Sequence, residues 1–514
     1  MWKKVLIRPN TYRDSYNLML LNNVLNSQLD ILAAAVLMGT PNNLKRLSEL
    51  GFSQDDFTLA STDDICIGLI SETEEGLSHA EQLAGDFLDG KHDLFQDGEE
   101  LEQVDHLEDA YNLLEQPSIT LISIPGEAAV VETEKALNLG MNVFLFSDGI
   151  SLMDEMRLKT IADSRNLIVM GPDCGTASIQ GIPLGFVNAV RRGSIGFVGA
   201  SGTGMQEVMC HLHALGEGIS HAIGTGGRDM TEQVGGITSR RALEMLREDE
   251  DTAIIIFIAK YGSANIQDRL LQSLMDYSKP IVFHCQETTP TGDLPPNFYV
   301  ASSLRHVAEI AHALHQRIAV PDELNFADIE LPHAMVLDKQ SMRQGDSRVV
   351  GLYSGGTLAA EASITLTRLN PALIHDIQDL GSEAYTDGRL HPMMDPTERI
   401  RLLDMALHNP ETTVILLDLV LGFGSHPDPA PLFADCIRHV RETNREARRW
   451  PIIIAVIVGT EEDPQHLNRQ LDVLHNVGII TTRSHLEAVY IAARLSGVDR
   501  EEGGIEQAPV KATD

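Results

Sequence analysis

One stretch of this chain, Ile195-Gly-Phe-Val-Gly-Ala-Ser-Gly-Thr-Gly-Met-Gln-Glu207, recurs in degenerate form, and the recurrence limits the fold more than any other feature. Shifted by 154 positions, it lies without a gap on Val349-Val-Gly-Leu-Tyr-Ser-Gly-Gly-Thr-Leu-Ala-Ala-Glu361. Gly202, Thr203 and Glu207 then match Gly356, Thr357 and Glu361. The same shift sets Ile219-Ser-His-Ala-Ile223 against Leu373-Ile-His-Asp-Ile377, so His221 meets His375, each expected at the end of the following strand. One unit of strand, glycine turn, helix and strand, used twice, is the simplest account.

A glycine turn before a helix has a chemical use. The first backbone N–H groups of a helix have no partner inside it, and the aligned peptide dipoles make that end positive, so it attracts anions. Ser201 and Thr203 add hydroxyls, and Gly202 lets a ligand approach the main chain; Gly355, Gly356 and Thr357 offer the same chemistry in the second copy. A single such turn would as readily mark close packing of a helix on its sheet. Two matched turns are expected to converge on one phosphate-sized anion.

The class expected is α/β. Runs such as Ile119–Ile124, Asn142–Phe146, Ala253–Ile258 and Val414–Leu419 read as parallel strands covered on both faces, alternating with helical stretches. At 514 residues, 43% hydrophobic, the chain can build several cores. Its formal net charge of −35 argues against nucleic acid and anionic membranes as partners, so a phosphorylated small molecule must be held by local donors. Five widely spaced cysteines without a CxxC pair, no signal peptide and no membrane-length apolar run suggest a cytoplasmic protein.

Taken in order, residues 1–115 read as an N-terminal βαβ-rich module ending in an acidic linker, with a polar cluster at Arg8, Asn10, Tyr12, Arg13 and Asp14. Residues 116–192 read as a Rossmann-like domain in which Asp148 and Ser151 cap a helix. Residues 193–345 and 346–498 carry the two copies as flavodoxin-like parallel-sheet domains, and 499–514 form a tail. Gly226, Gly227, Arg228 and Asp229 form a further glycine cluster at a strand end, with Arg228 expected to fork onto an oxyanion and Asp229 to orient it. Lys260 is expected near the same sheet edge. His391 and Asp395, held non-helical by Pro392 and Pro396, read either as an acid/base pair or anion contact, or as a turn fixing its own backbone. His284 with Cys285, and His426, lack companions at ligand spacing, so no metal site is expected.

Together these segments resemble the succinyl-CoA synthetase superfamily of NDP-forming acyl-CoA synthetases over roughly residues 117 to 495. Gly171-Pro-Asp-Cys174 is similar to its Gly-Pro-Asn-Cys element, Ser201-Gly-Thr203 to its α-subunit helix start, and Gly355-Gly-Thr357 with Asp379-Leu-Gly381 to its β-subunit ligase domain. The FdrA-type proteins, which fuse these parts in one chain, resemble it further through Gly199–Gly204, Gly226–Asp229, Gly355–Glu361 and His391–Pro396. The resemblance implies acyl-phosphate or carbamoyl-phosphate chemistry, and a relative of this type is linked to carbamoyl transfer to oxamate. Departures accompany it. The phosphohistidine loop is missing where Thr288-Thr-Pro-Thr-Gly-Asp293 stands, Ala259-Lys260 replaces the orienting glutamate, and neither an ATP-grasp domain nor the family's CoA-holding glycine fingerprint is present.

The expectation is thus a transferase subunit with Ser201, Gly202, Thr203, Gly226, Gly227, Asp229, Gly355, Gly356, Thr357 and Asp395 at the phosphate or substrate, and with Arg228, Lys260 and His391 acting on it. The substrates would be an acyl or carbamoyl phosphate and a small carboxylic-acid acceptor, with CoA a further candidate ligand and separate subunits or a homo- or hetero-oligomer completing the assembly. Two alternatives stand beside it: an acyl-CoA synthetase component needing an ATP-grasp partner, and a non-catalytic ligand-binding scaffold.

Overall fold

A computed structural model of the chain describes residues 2–11, 15–26, 28, 30–89, 104–259, 263–286, 290, 294–329, 331, 348–386, 389–444 and 450–498. They fall into two units, Met1–Ala110 with Gly388–Leu390, and Tyr111–Asp387 with His391–Asp514.

In the first unit, β1 (Trp2–Arg8), α1 (Ser15–Asn26), β2 (Ile31–Met38), α2 (Pro41–Glu49), β3 (Ile65–Ser71) and α3 (Glu74–Leu88) follow the expected order. The βαβ is split: β3 lies between β1 and β2 and runs antiparallel to both. The apolar run of β3 buries all seven of its residues because it is the central strand. Of the polar cluster, Asn10 N–H donates to Asp64 Oδ1 at 2.9 Å, which ties a turn, while Tyr12, Arg13 and Asp14 lie outside the described residues.

The chain enters the second unit through α4 (Leu107–Leu113). Next, β4 (Ile119–Ile122), α5 (Gly126–Asn138), β5 (Asn142–Leu145), α6 (Leu152–Ser164) and β6 (Val169–Met170) build a three-stranded parallel sheet. Ser151 caps α6 as expected, its Oγ accepting from Asp154 N–H at 3.1 Å. A hairpin, β7 (Thr176–Ile179) and β8 (Ile182–Gly185), is not part of that sheet; β7 pairs antiparallel with a strand of the first copy.

The first copy comprises β9 (Arg192–Gly199), α7 (Gly202–Ala214), β10 (Ile219–Gly224), α8 (Ile237–Glu248), β11 (Ile254–Ala259), α9 (Ala264–Ser273), β12 (Ile281–Cys285), β13 (Phe298–Val300) and α10 (Leu304–Gln316). The second comprises β14 (Arg348–Tyr353), α11 (Gly356–Leu369), β15 (Ile374–Asp379), the one-turn α12 (Glu383–Thr386), α13 (Thr397–His408), β16 (Thr412–Val420), α14 (Pro429–Thr443), β17 (Ile452–Val458), α15 (Leu467–His475), β18 (Ile480–Thr482) and α16 (His485–Leu495). Numbered within its copy, each set of five parallel strands has the order 2-1-3-4-5, the flavodoxin-like order: β10-β9-β11-β12-β13 and β15-β14-β16-β17-β18. Helices cover both faces, so β11 buries every residue of Ile-Ile-Ile-Phe-Ile-Ala and β16 buries all nine of its own. The histidines matched by the repeat are not at strand ends. His221 is the third residue of β10 and His375 the second of β15, because both strands run on to the carboxyl edge, at Gly224 and Asp379.

Candidate functional site

The repeat places two helix N-termini against each other. Ser201 leaves β9 in extended backbone (φ −127°, ψ 106°), and its Oγ accepts from Gly204 N–H at 3.0 Å, which starts α7. Gly355 leaves β14 in the same conformation (φ −128°, ψ 123°) but has no side chain, so α11 starts with no side-chain cap. Between them Ser201 Oγ and Thr357 Oγ1 share a hydrogen bond of 2.5 Å, and both residues are buried. A Cβ on Gly355 would run into Thr203, and one on Gly204 into Ser201 and Thr357. Glycine at these positions therefore permits the approach of the two turns. The expected convergence is present, but the hydroxyl pair closes the gap between the helices.

Around this point stand several polar side chains. Gln286, just past β12, donates through Nε2 to Thr357 O at 2.6 Å. Asp418, buried toward the carboxyl end of β16, accepts from Ser354 N–H and Oγ–H, both at 2.8 Å, and pairs with Arg399 at 2.7 Å. That explains a charged residue in an otherwise apolar strand: it fixes the turn that opens α11.

One turn further along the two helices, the glutamates matched by the repeat meet a shared partner. Glu207 Oε1 accepts from the backbone N–H of His485, the first residue of α16, at 2.7 Å. Glu361 Oε1 accepts from the N–H of Leu304, the first residue of α10, at 3.3 Å, and its Oε2 pairs with His485 Nδ1 at 2.6 Å. Each copy thus caps the last helix of the other. His485 Nε2 meets Tyr353 Oη at 2.9 Å. Burial raises Glu207 to about 7, against the opposing pull of His485. Burial also opposes ionisation of Glu361 and His485, but their mutual hydrogen bond and charge outweigh it, holding Glu361 below and His485 above its usual value.

The other expected residues lie elsewhere or do different work. Arg228 is not a free fork: its Nε donates to Glu155 Oε2 at 2.8 Å and its Nη2 to Ile150 O at 2.9 Å. Asp229 does not orient it. Fully buried, Asp229 accepts from Lys159 Nζ at 2.7 Å and caps α8 through Thr238 N–H at 3.1 Å and Ser239 N–H at 2.8 Å. Gly226 (φ +81°) packs against Pro172 O, whereas Gly227 has open space beside it. This glycine cluster is a joint between the three-stranded and seven-stranded sheets.

His391 stacks on Phe186 at 5.2 Å between ring centroids and accepts from Met393 N–H at Nδ1, while its Nε2 abuts Gly381 beside the α11 turn. Burial, then the Arg399 charge, push it down to about 4, so at pH 7 it is neutral and a weak proton carrier. Asp395 bonds Thr397 N–H at 3.0 Å and Oγ1 at 2.5 Å; it fixes its own turn and makes no pair with His391. Lys260 lies outside the described residues.

Sequence reasoning missed His485, Gln286 and Asp418. It also missed Asn188, whose Nδ2 reaches Leu421 O (3.0 Å) and Asp463 Oδ2 (3.0 Å) and whose Oδ1 receives Gln206 Nε2 (3.0 Å), joining the two copies. A signal for His485 existed in the repeat, since Glu207 and Glu361 recur together without an assigned partner.

Three family models match the chain: "CoA-ligase" over residues 352–506, "CoA binding domain" over 190–283, and "AllF, heavy metal-associated domain" over 1–104. The donor set of the N-terminal unit does not fit a thiolate metal site. Its single cysteine, Cys66, is buried within β3 with the thiol pushed up to about 11 by burial, and no cluster of three or more His, Cys, Asp or Glu able to hold a metal occurs among the described residues. Among solved structures, the dinucleotide-forming acetyl-coenzyme A synthetase 1 of Ca. Korarchaeum cryptofilum aligns at 14% identity with a TM-score of 0.29, covering 75% of this chain and 84% of that one. The α subunit of succinate–CoA ligase (ADP-forming) from Aquifex aeolicus is 30% identical over 171 residues, 32% of this chain and 54% of that protein. The corresponding subunit α 1 of Archaeoglobus fulgidus is 28% identical over 178 residues, 34% and 60% respectively. This chain thus spans between half and two thirds of those ligase subunits. By contrast, the Escherichia coli protein YahF is 33% identical over 501 residues, 94% of this chain and 96% of that one. The chain belongs to the succinyl-CoA synthetase superfamily of NDP-forming acyl-CoA synthetases.

Proposed function

We propose that the second unit is the acyl-phosphate component of a transferase, binding carbamoyl phosphate or a related acyl phosphate where α7 and α11 meet. One observation carries the reading: two helix N-termini, one without a side-chain cap, converge on a buried pair of hydroxyls. A phosphoryl oxygen entering between the two hydroxyls replaces the one hydrogen bond they share and accepts one from each, and the helix ends stabilise its charge. The nucleophilic atom of a small carboxylic-acid acceptor attacks the carbonyl carbon; the bond from that carbon to the phosphate oxygen breaks, its electrons leave with the phosphate, and the departing phosphate takes up the proton that the nucleophilic atom loses. His391, neutral beside the α11 turn, serves as a hydrogen-bonding partner. The work is done in the cytoplasm, with separate subunits supplying what this chain lacks.

Calorimetric titration of the full chain with carbamoyl phosphate and acetyl phosphate, with oxamate present, tests this. Binding is expected, weakened at least tenfold by Ser201→Val with Thr357→Val, since a hydrogen bond to a charged group contributes roughly 1.5–3 kcal/mol. No heat with either phosphate overturns it. Two other readings predict different outcomes. The CoA-named family models favour an acyl-CoA synthetase component that needs an ATP-grasp partner, which would bind CoA and be indifferent to both substitutions. The close approach of Gly355 to Thr203 favours a scaffold, which would bind none of the three ligands.

A further inference from the structure

The crossed capping of α10 and α16 has an imbalance at its centre. Five ionisable groups of opposite sign are enclosed together: Glu207 on α7, Glu361 on α11, His485 on α16, Asp418 on β16 and Arg399 on α13. Arg399 is taken by Asp418 at 2.7 Å, and His485 by Glu361 at 2.6 Å. Glu207 is the carboxyl left over. It receives the His485 backbone N–H at Oε1, while its Oε2 is buried with no partner. The remaining titratable neighbours supply no cation to it: Tyr353 on β14 bonds His485, His284 on β12 bonds Ala301 O at 3.0 Å through Nδ1, and Cys210 on α7 itself is a buried thiol. An unpaired carboxylate so enclosed is costly, whereas a carboxylic acid is not.

We infer that the contact between α7 and the start of α16 is a proton-dependent clasp: it closes with a proton on Glu207 and loosens when that proton leaves. The loosening lies one turn below the Ser201–Thr357 hydrogen bond, so it frees the helix end on which that bond depends. The direction follows from linkage. Burial raises Glu207 from the ordinary carboxylate range to about 7 in the closed form, so the closed form binds more protons than the open one. Its advantage is complete below the open-state value near 4.5 and is lost as pH rises through about 7. His485, also raised, adds to the same alkaline loss; Glu361, lowered, opposes it only at acid pH.

Cys210, buried one helical turn from Glu207, reports opening. In the full chain its labelling by a neutral thiol reagent is followed by peptide mass spectrometry from pH 5 to 8.5, and each rate is divided by that of a free peptide of the same sequence to remove thiol ionisation. Protection is expected to fall by up to tenfold per pH unit between about pH 5 and 7, the limit for one released proton, and the part of the fall due to Glu207 to level off above about 7. Glu207→Gln, which keeps the acceptor for the His485 N–H without the titrating group, should remove the fall due to Glu207. Should that variant not fold, Glu361→Gln serves instead: it removes the neighbouring carboxylate that helps to raise Glu207 and leaves His485 to pair with Glu207, so the part of the fall due to Glu207 should shift to lower pH. Protection unchanged with pH in the native chain, or an unaltered profile in a folded variant, overturns the clasp. Neither outcome depends on which phosphate the chain binds.

Discussion

Lys159 is the cation on which the joint between the first two sheets of the second unit depends, and replacing it by methionine should cost about 3 kcal/mol. The side chain is 1% exposed, and Nζ contacts Asp229 Oδ1 at 2.7 Å, Glu155 Oε1 at 2.9 Å and Thr225 O at 3.0 Å. Removing one member of a buried ion pair typically costs about 3–5 kcal/mol because the other charge stays behind. Here the survivors keep part of their solvation: Glu155 retains Arg228, and Asp229 retains Thr238 N–H with the N–H and Oγ–H of Ser239. The lower end of that range therefore applies. Methionine fills most of the lysine stem's volume, so little of the loss is a cavity effect. A second change, Asp229→Asn, should recover part of the loss in the Lys159→Met background while being destabilising alone, the mark of coupling in a double-mutant cycle. Urea titration by far-ultraviolet circular dichroism measures the difference, and hydrogen exchange of peptides from residues 119–170 and 219–248 shows where it falls. A loss under about 1 kcal/mol with unchanged exchange there would refute the joint and return the Gly224–Asp229 loop to the role of a ligand loop.

Further outcomes follow from the same geometry. His391, depressed from 6.5 to about 4, contributes stability that is complete above pH 6.5 and is lost as pH falls toward 4, on the order of 3 kcal/mol; ring-proton NMR should locate its titration, and a midpoint above 6 would contradict the burial argument. Asn188→Ala leaves Asp463 and Gln206 without a shared partner between the two copies, and about 2–4 kcal/mol of stability should go, measured in urea; a loss within 0.5 kcal/mol would mean that the loop relaxes freely. Gly355→Ala should destabilise despite ordinary extended backbone, by more than about 1 kcal/mol in thermal denaturation, because its Cβ meets Thr203; pairing it with Thr203→Ser should restore part of that.

Much of the fold was legible because it rests on local periodicity and on one repeated unit. The runs expected as strands near Ile119, Asn142, Ala253 and Val414 form β4, β5, β11 and β16, and both glycine turns open helices at the matched residues 202 and 356, since a strand, a turn and a helix start are each set within a few residues. The hairpin Thr176–Gly185 was not legible: its short strands form only because β10 offers an edge to pair with. The split of β1 and β2 by β3 is hidden for the same reason, since pairing order is a long-range property.

For the site, the sequence by itself determined the two helix starts, their hydroxyls and the recurrence of Glu207 with Glu361. Tertiary structure decided what those residues face. Arg228 and Asp229 are adjacent in the chain but answer to Glu155 and Lys159 on α6, and His485, 124 residues from Glu361, becomes its closest partner. Residue type fixes which charges exist, while burial and distance fix which of them are paired, and a charge's behaviour depends on the second as much as on the first.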